Sequence, residues 1–402
     1  MPTIRTAVLG LVALACVPDR AVENDSRAHT RPLCGGPADS GFLRCHARAR
    51  TDERGRAVSL AVPVPGSLTP ADLRRAYGIP KSGGKGVTIA VIAAFDDPRA
   101  AQDLAVYRAQ FGLPPCTEEN GCFRKVNQRG AASPLPAADD GWAGEISLDL
   151  DMVSATCPAC GILLVEGNAP TDADLGTAVN TAVRLGANVV SMSFGGAESA
   201  ASVEDAKRYY DHPGVLLLAA GGDDGYDPAN EEFPASAPSV LAVGGTTLLA
   251  APGTPRGFVE QVWNGNGSTN SGCSKYFPKP DYQPDRGCGM RTLNDVAAFA
   301  DPAIGVAVYD SYGLSGWGAF GGTSAATPIV AGIFAATGNA RAAPGFPYDN
   351  VSAFFDITSG TDVIDGACED GYLCSATLGY DGPTGVGSPN AAALANLAVA
   401  SR

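Results

Sequence analysis

The sequence predicts an α/β fold: a parallel sheet with helices on both faces, in three layers. Three observations carry this expectation. Five runs are continuously apolar: GVTIAVIAAF from Gly86, GILLVEG from Gly161, ANVVSMSFGG from Ala187, GVLLLAAGG from Gly214 and SVLAVGGTTL from Ser239. Runs of this kind belong to parallel strands covered on both faces. Helical stretches separate them, such as DADLGTAVNTAVRLG between the second and third, which is the order that builds crossover units. Finally, 45% apolar against 17% charged residues in a 402-residue chain can fill a sizeable core. There is no internal repeat, so one core is expected from about residue 70 to the end.

Residues 1–16 read as a secretory signal. Arg5 supplies the positive charge, and Ala7 to Ala15 (AVLGLVALA) forms an apolar run. That run is far shorter than the ~20 residues a bilayer span needs, and there is no other candidate span. The competing reading is a buried strand starting at Met1. Cys16 follows Leu14 and Ala15 and is open to lipidation. Residues 17–68 are polar and Arg-rich (CHARARTDERGR) and are expected to be a short, poorly ordered N-terminal or pro-region. Pro63 to Pro70 (PVPGSLTP) reads as a linker ending in a helix cap, with Thr69-Pro70 opening a helix over Ala71–Tyr77. The folded domain is assigned to residues 69–402.

Setting Cys16 aside leaves ten of the eleven cysteines. They fall into local pairs, Cys34/Cys45, Cys116/Cys122, Cys157/Cys160, Cys273/Cys288 and Cys368/Cys374, for which disulfides are the simplest reading in an oxidising compartment. A zinc site lacks a second close pair or histidines, and a redox Cys-x-x-Cys should open a helix, whereas CPAC precedes a strand. Lys plus Arg total 28 against 42 Asp plus Glu, a net charge of −14, which argues against nucleic acid as a partner. Three histidines leave little room for a multi-histidine metal centre.

The chemistry gathers in three segments. Phe320 to Ala335 (FGGTSAATPIVAGIFA) places Ser324 at a helix N-terminus behind two glycines, with Pro328 expected in the first turn. A serine there is commonly only a cap. GWAGEISLDLDMVSA sets Glu145 and Asp149 four residues apart, on one face of a helix. Like charges at that spacing repel, so they do not serve helix stability, although a solvated acidic face is the competing reading. Asp151 offers a second register. Asp223, in AAGGDDGYDP, follows the fourth strand, where an ordinary acidic turn is the alternative.

The string GTSAATP is similar to the nucleophile motif of the subtilisin clan. A subtilisin, however, needs an Asp where Ala93 stands, and none of His29, His46 or His212 lies in the Gly-His-Gly-Thr block. Taken with GEISLD, SMSFGGAES, GGDDG before EFPASAPSVLAVGGT, FFDITSG and GYDGPTGVGSPN, the chain resembles the sedolisins, the serine-carboxyl peptidases, over roughly residues 70 to 400. That resemblance implies a subtilisin-like fold with Ser324 as nucleophile, Glu145 as general base, Asp149 as its partner and Asp223 as oxyanion donor. It further implies substrate binding along Ser191, Ser193, Phe194 and Gly195, and one calcium ion held by Asp356, Ile357, Thr377, Gly379 and Asp381. Thr377 stands where the family usually has glycine, and Gly321 where a serine is common. The family usually carries a long folded pro-domain, whereas about fifty residues separate the signal from the core here. The expected protein is thus a secreted, monomeric endopeptidase of protein or peptide substrates, active at acid pH, with a lipid anchor through Cys16 as a variant. The rival from another class is an inactive sedolisin-like binding or adhesion module; a subtilisin-type triad with an overlooked histidine is the third reading.

Overall fold

The computed structural model describes residues 29–35, 42–228 and 231–400. The expected signal, residues 1–16, lies outside the described residues, and Cys16 with it. The central sheet has eight strands: β1 (Thr88–Ala94), β2 (Phe123–Asn127), β3 (Gly161–Gly167), β4 (Val189–Met192), β5 (Leu216–Ala220), β6 (Leu241–Ala250), β7 (Phe258–Val262) and β8 (Val296–Phe299). They run in the order β7-β6-β5-β4-β1-β3-β2, with β8 also paired to β6. All pairs are parallel except β6 with β7.

The continuous runs became β1, β3, β4, β5 and β6. Every residue of β1 beyond Thr88 is buried, as a strand covered on both faces must be. Two outer strands escaped the sequence because of their composition. FRKVN in β2 and FVEQV in β7 keep charged and polar residues that an edge tolerates, so they lack the continuous apolar signature.

Six helices complete the core: α1 (Pro70–Tyr77), α2 (Ala100–Gln110), α3 (Asp140–Thr156), α4 (Asp172–Arg184), α5 (Thr323–Ala336) and α6 (Ala391–Ala400). Asp139 caps α3 by accepting from the backbone N–H of Gly141 and Trp142. Helices α3 and α5 lie against each other. Gly332 makes this close approach feasible, since a Cβ there would sit 1.9 Å from Thr156 Oγ1. Pro328 lies one turn deeper in α5 than expected, because the helix begins at Thr323. Its missing N–H leaves the Ser324 carbonyl without its intrahelical donor, and the Ser193 hydroxyl stands 3.4 Å from that oxygen.

The lead-in segment corrects the expectation of poor order wherever it is described. Arg48–Thr51 pairs antiparallel with Gly316–Gly321 and with His29–Pro32, and Arg44–Cys45 pairs antiparallel with Phe194–Ala197. Ala47, Ala49 and Thr51 are buried while Arg48 and Arg50 are half-exposed. ARART is therefore a period-two strand whose polar face made it read as irregular.

All five local cysteine pairs are disulfides. Cys157 and Cys160 are fully buried between α3 and β3, as a structural bond and not an accessible redox pair would be. Among the described residues no helix is long and apolar enough to cross a membrane.

Candidate active site

Two elements deliver the reactive groups. Ser324 occupies the first turn of α5, behind Gly322 at φ 87°, a backbone conformation that favours glycine. Glu145 and Asp149 lie one turn apart on α3, facing α5. The packing of the two helices brings the Ser324 hydroxyl to Glu145, donating to Oε2 at 2.9 Å. The backbone oxygen of Ser193, 3.2 Å away, is its alternative acceptor. Asp149 Oδ1 accepts from the Ser193 hydroxyl at 2.6 Å. All these side chains are buried.

The carboxyl groups are not satisfied as carboxylates. Glu145 Oε1 and Asp149 Oδ2 are buried without a hydrogen-bond partner. Burial raises the Glu145 pKa well above the usual range, the charge of Asp149 raises it further, and the donors Ser324 and Ala47 oppose the rise. Burial raises Asp149 in the same direction against the bond from Ser193. The two titrate as a unit that holds on to a proton.

Asp223 follows β5 at a turn through Gly222, where φ is 108°. Its Oδ1 accepts from Thr323 N at 2.8 Å and Thr323 Oγ1 at 2.9 Å, while Oδ2 is buried and unpartnered. Burial pushes this carboxyl up to about 6, against the charge of Arg48 and the bonds from Thr323. A Cβ on Gly322 would lie 2.7 Å from Asp223 Oδ2, so the free oxygen faces the start of α5 beside Ser324. A neutral carboxyl there can donate a hydrogen bond to a developing oxyanion.

Four expected positions thus converge: Ser324, Glu145, Asp149 and Asp223. Ser193, Phe194 and Gly195 also line the cleft. Ser191 does not, and corrects its expected role as a substrate-binding residue. It lies inside the sheet, flanked by Val91 and Leu218 on the neighbouring strands, so its backbone has no free edge to offer. Asp151 points elsewhere and accepts from Tyr309 N at 3.0 Å.

Sequence reasoning missed what lies in the cleft. Residues Leu43 to Arg48 run through it. Cys45 stands opposite Phe194 and Arg44 opposite Gly195, and His46 N donates to Ser193 O at 3.2 Å. Ala47 N donates to Glu145 Oε2 at 2.9 Å. Arg44 pairs with Asp224 and, at 3.5 Å, with Glu232. The His46 ring lies 3.8 Å from Glu232, and its Nε2 has no hydrogen-bond partner, so this imidazole is not the base for Ser324. His212 bonds Asn180 and the Tyr209 carbonyl instead. The one available signal was the alternation of Arg and Ala from His46 onward.

Four of the expected calcium residues are joined in two pairs. Asp356 Oδ2 accepts from Gly379 N and Asp381 Oδ2 from Thr377 N, both at 3.0 Å. Burial pushes Asp381 up to about 7, with the charge of Asp356 adding to the rise. The charge of Asp356 thus reaches Asp381, a repulsion of the kind a divalent cation relieves. Among the described residues there is no group of three or more His, Cys, Asp and Glu side chains suited to a metal.

Comparison with known proteins follows the same lines. Residues 143–355 match the model of the subtilase family, Peptidase S8. Kumamolisin of Bacillus sp. (strain MN-32) is 32% identical over 393 residues, which cover 88% of this chain and 67% of kumamolisin. Sedolisin of Pseudomonas sp. (strain 101) is 28% identical, covering 87% of this chain and 64% of sedolisin. The chain thus spans about two thirds of the length of either relative. Human tripeptidyl-peptidase 1 is 29% identical over 45% of this chain. The solved structure of Pseudomonas sedolisin, titled a serine-carboxyl proteinase in complex with pseudo-iodotyrostatin, aligns with a TM-score of 0.71 at 26% identity, over 83% of this chain and 98% of that one.

Proposed function

Because the chain belongs to the sedolisin family of the subtilisin-like clan, we propose that it is a secreted serine-carboxyl endopeptidase, active at acid pH through Ser324, Glu145 and Asp149 with Asp223 as oxyanion donor. The observation that carries this reading is the hydrogen bond from the Ser324 hydroxyl to Glu145 Oε2 at 2.9 Å. Glu145 takes the hydroxyl proton as Ser324 Oγ attacks a peptide carbonyl, then returns it to the departing amine. Asp149, held by Ser193, shares the negative charge of the pair and raises the basicity of Glu145. Protonated Asp223 and the Ser324 backbone N–H stabilise the oxyanion, and one such donor is worth about 3 kcal/mol.

The pH window follows from opposite demands. Glu145 must accept a proton while Asp223 must keep one. The raised pKa of Asp223, about 6, makes the donor available in mild acid and removes it towards neutrality. Endopeptidase action is supported by the cleft itself. It holds Leu43, four residues before Ala47, with Leu43 N donating to Pro170 O at 2.7 Å. A site closed after three residues would not admit that length. Five disulfides support an oxidising, extracellular location. Calcium bound by Asp356, Asp381 and the adjacent carbonyl groups would neutralise these carboxylates and brace the C-terminal turns, without taking part in the chemistry.

A pH–rate profile on denatured protein, wild type beside Glu145→Gln, tests this reading. The variant should lose at least ~10³-fold in kcat/KM across the acid range. Activity within about tenfold of wild type would remove Glu145 from the mechanism.

A further inference from the structure

We propose that Thr323, the residue before the nucleophile, is a positioning residue that holds one oxygen of Asp223 with two donors, so that this acid carries its proton on the other oxygen and presents it to the oxyanion. The proposal rests on the peptidase reading above and adds the group that sets the neutral end of its pH range.

The arrangement starts from a helix without a cap of its own. The residue before α5 is Gly322, which has no side chain to accept from the first turn. Asp223, which follows β5, fills that place from another element: its Oδ1 accepts from Thr323 N at 2.8 Å. The same oxygen accepts from Thr323 Oγ1 at 2.9 Å. The direction of this second bond is fixed, because Thr323 Oγ1 itself accepts from Gly222 N at 3.1 Å. The hydroxyl hydrogen therefore points at Asp223. Gly222 N–H, Thr323 O–H and Asp223 Oδ1 form a row that runs in one sense.

Two donors use both acceptor sites of Oδ1. A proton on that oxygen would meet two hydrogens already aimed at it, so the neutral acid carries its proton on Oδ2. This oxygen is buried and without a partner. It lies on the side where a peptide carbonyl stands: the position of a Cβ on Gly322 is 2.7 Å from Oδ2 and 1.8 Å from the His46 carbonyl oxygen. Without the Thr323 hydroxyl the two carboxyl oxygens become more nearly equal, and a share of the molecules turns the proton away from the oxyanion.

The same bonds govern when the proton leaves. Both stabilise the carboxylate and act against burial, which raises this group. Other charges face Asp223 as well. Arg44, His46 and Arg48 come from the lead-in segment and Asp224 from the next position in the chain. Glu232 approaches from the strand Glu232–Phe233 and Glu145 from α3. The arginines favour the carboxylate and the acids oppose it. None of these charges changes when Thr323 loses its hydroxyl, so a shift caused by that loss reports on the hydroxyl alone.

The experiment measures kcat and KM on a quenched peptide from about pH 3 to pH 8. It uses the full chain as wild type, Thr323→Val and Thr323→Ser, and Thr323→Val in an Asp223→Asn background. Valine keeps the shape and loses the donor. Thr323→Val should move the fall in activity towards neutral pH upwards by about one pH unit, because the carboxylate loses a hydrogen bond. It should also lower kcat about tenfold in acid with KM unchanged. Thr323→Ser keeps the donor and should restore both. In the Asp223→Asn background, where the amide does not titrate, valine should leave the neutral side of the profile in place. Lost packing alone would lower the rate at every pH without moving the profile; that outcome, in a variant whose thermal unfolding matches wild type, overturns the proposal. Should the valine variant not fold, Thr323→Ala loses the same hydroxyl without added bulk, and an unshifted profile there overturns the proposal equally. A serine variant that behaves like valine overturns the role of the hydroxyl. A wild type without Ser324-dependent cleavage instead removes the peptidase reading, and the proposal with it.

Discussion

Replacing Asp223 by asparagine should extend activity towards neutral pH without abolishing it. Asp223 Oδ1 accepts from both the N–H and the hydroxyl of Thr323, at 2.8 and 2.9 Å, so an oxygen must stay in that position. In asparagine the amide oxygen meets this demand, and the NH₂ group falls where the unpartnered Oδ2 now lies, beside Gly322. A carboxyl in that place donates only while protonated, whereas an amide donates at every pH. With the carboxyl pushed up to about 6, about nine-tenths of molecules hold the proton at pH 5, about one-tenth at pH 7 and about one-hundredth at pH 8. A missing donor costs about 3 kcal/mol, so the ionised form adds almost nothing to the rate. Wild-type kcat/KM should then fall about tenfold from pH 5 to pH 7 and about tenfold again by pH 8, through this group alone. The assay is kcat/KM on a quenched peptide from about pH 3 to pH 8, with the acid limb of the Glu145–Asp149 pair as internal control. The reasoning fails if Asp223→Asn keeps the wild-type neutral limb. It also fails if the variant loses more than about 100-fold at pH 5 while its thermal unfolding is unchanged.

Stability should itself favour acid. Burial raises Asp97 to about 7, Glu166 to about 9, Asp223 to about 6 and Asp310 to about 6. Their folded pKa values exceed the unfolded ones, so their stabilisation is complete below about pH 4 and is lost as pH rises through about 6 to 9; Tm should drop by several degrees between about pH 4.5 and pH 8, and a rise would contradict the assignment. EDTA at neutral pH should lower Tm by several degrees and Asp381→Asn should remove that sensitivity; an EDTA-insensitive wild type rejects the calcium site. Gly332→Ala should cost about 1–3 kcal/mol in urea unfolding, because its Cβ would lie 1.9 Å from Thr156 Oγ1, and should depress kcat by separating α5 from α3. Adding Thr156→Ala should recover part of both losses, and full stability in the single variant would show that the two helices do not need this contact.

What the sequence revealed was local. β1, β3, β4, β5 and β6 were legible because burying both faces leaves no room for polar alternation. Ser324 at a helix start and Glu145 one turn from Asp149 were legible because both relations lie within a few residues. Ser191 was misread because the end of a ladder is a property of the neighbouring strands, and β4 continues to pair for one residue beyond it, through Met192. Residues Leu43 to Arg48 were misread for a related reason. Their arginines alternate with alanines, and only Phe194 and Phe320, far along the chain, turn that alternation into pairing.

The same division runs through the chemistry. Residue type alone could say that a carboxyl group replaces histidine as the base, but an isolated helix bearing Glu145 and Asp149 would expose both to water and titrate near ~4. Their pKa values rise only once the sheet, α5 and the strand from the lead-in have closed over α3. Ala47 belongs to that closure, and its N–H stabilises the ionised form of Glu145. A segment leaving the cleft would remove this donor and admit water in its place, so the two effects on Glu145 oppose each other. The acid limb of the profile therefore reports on cleft occupancy as well as on the carboxyl pair.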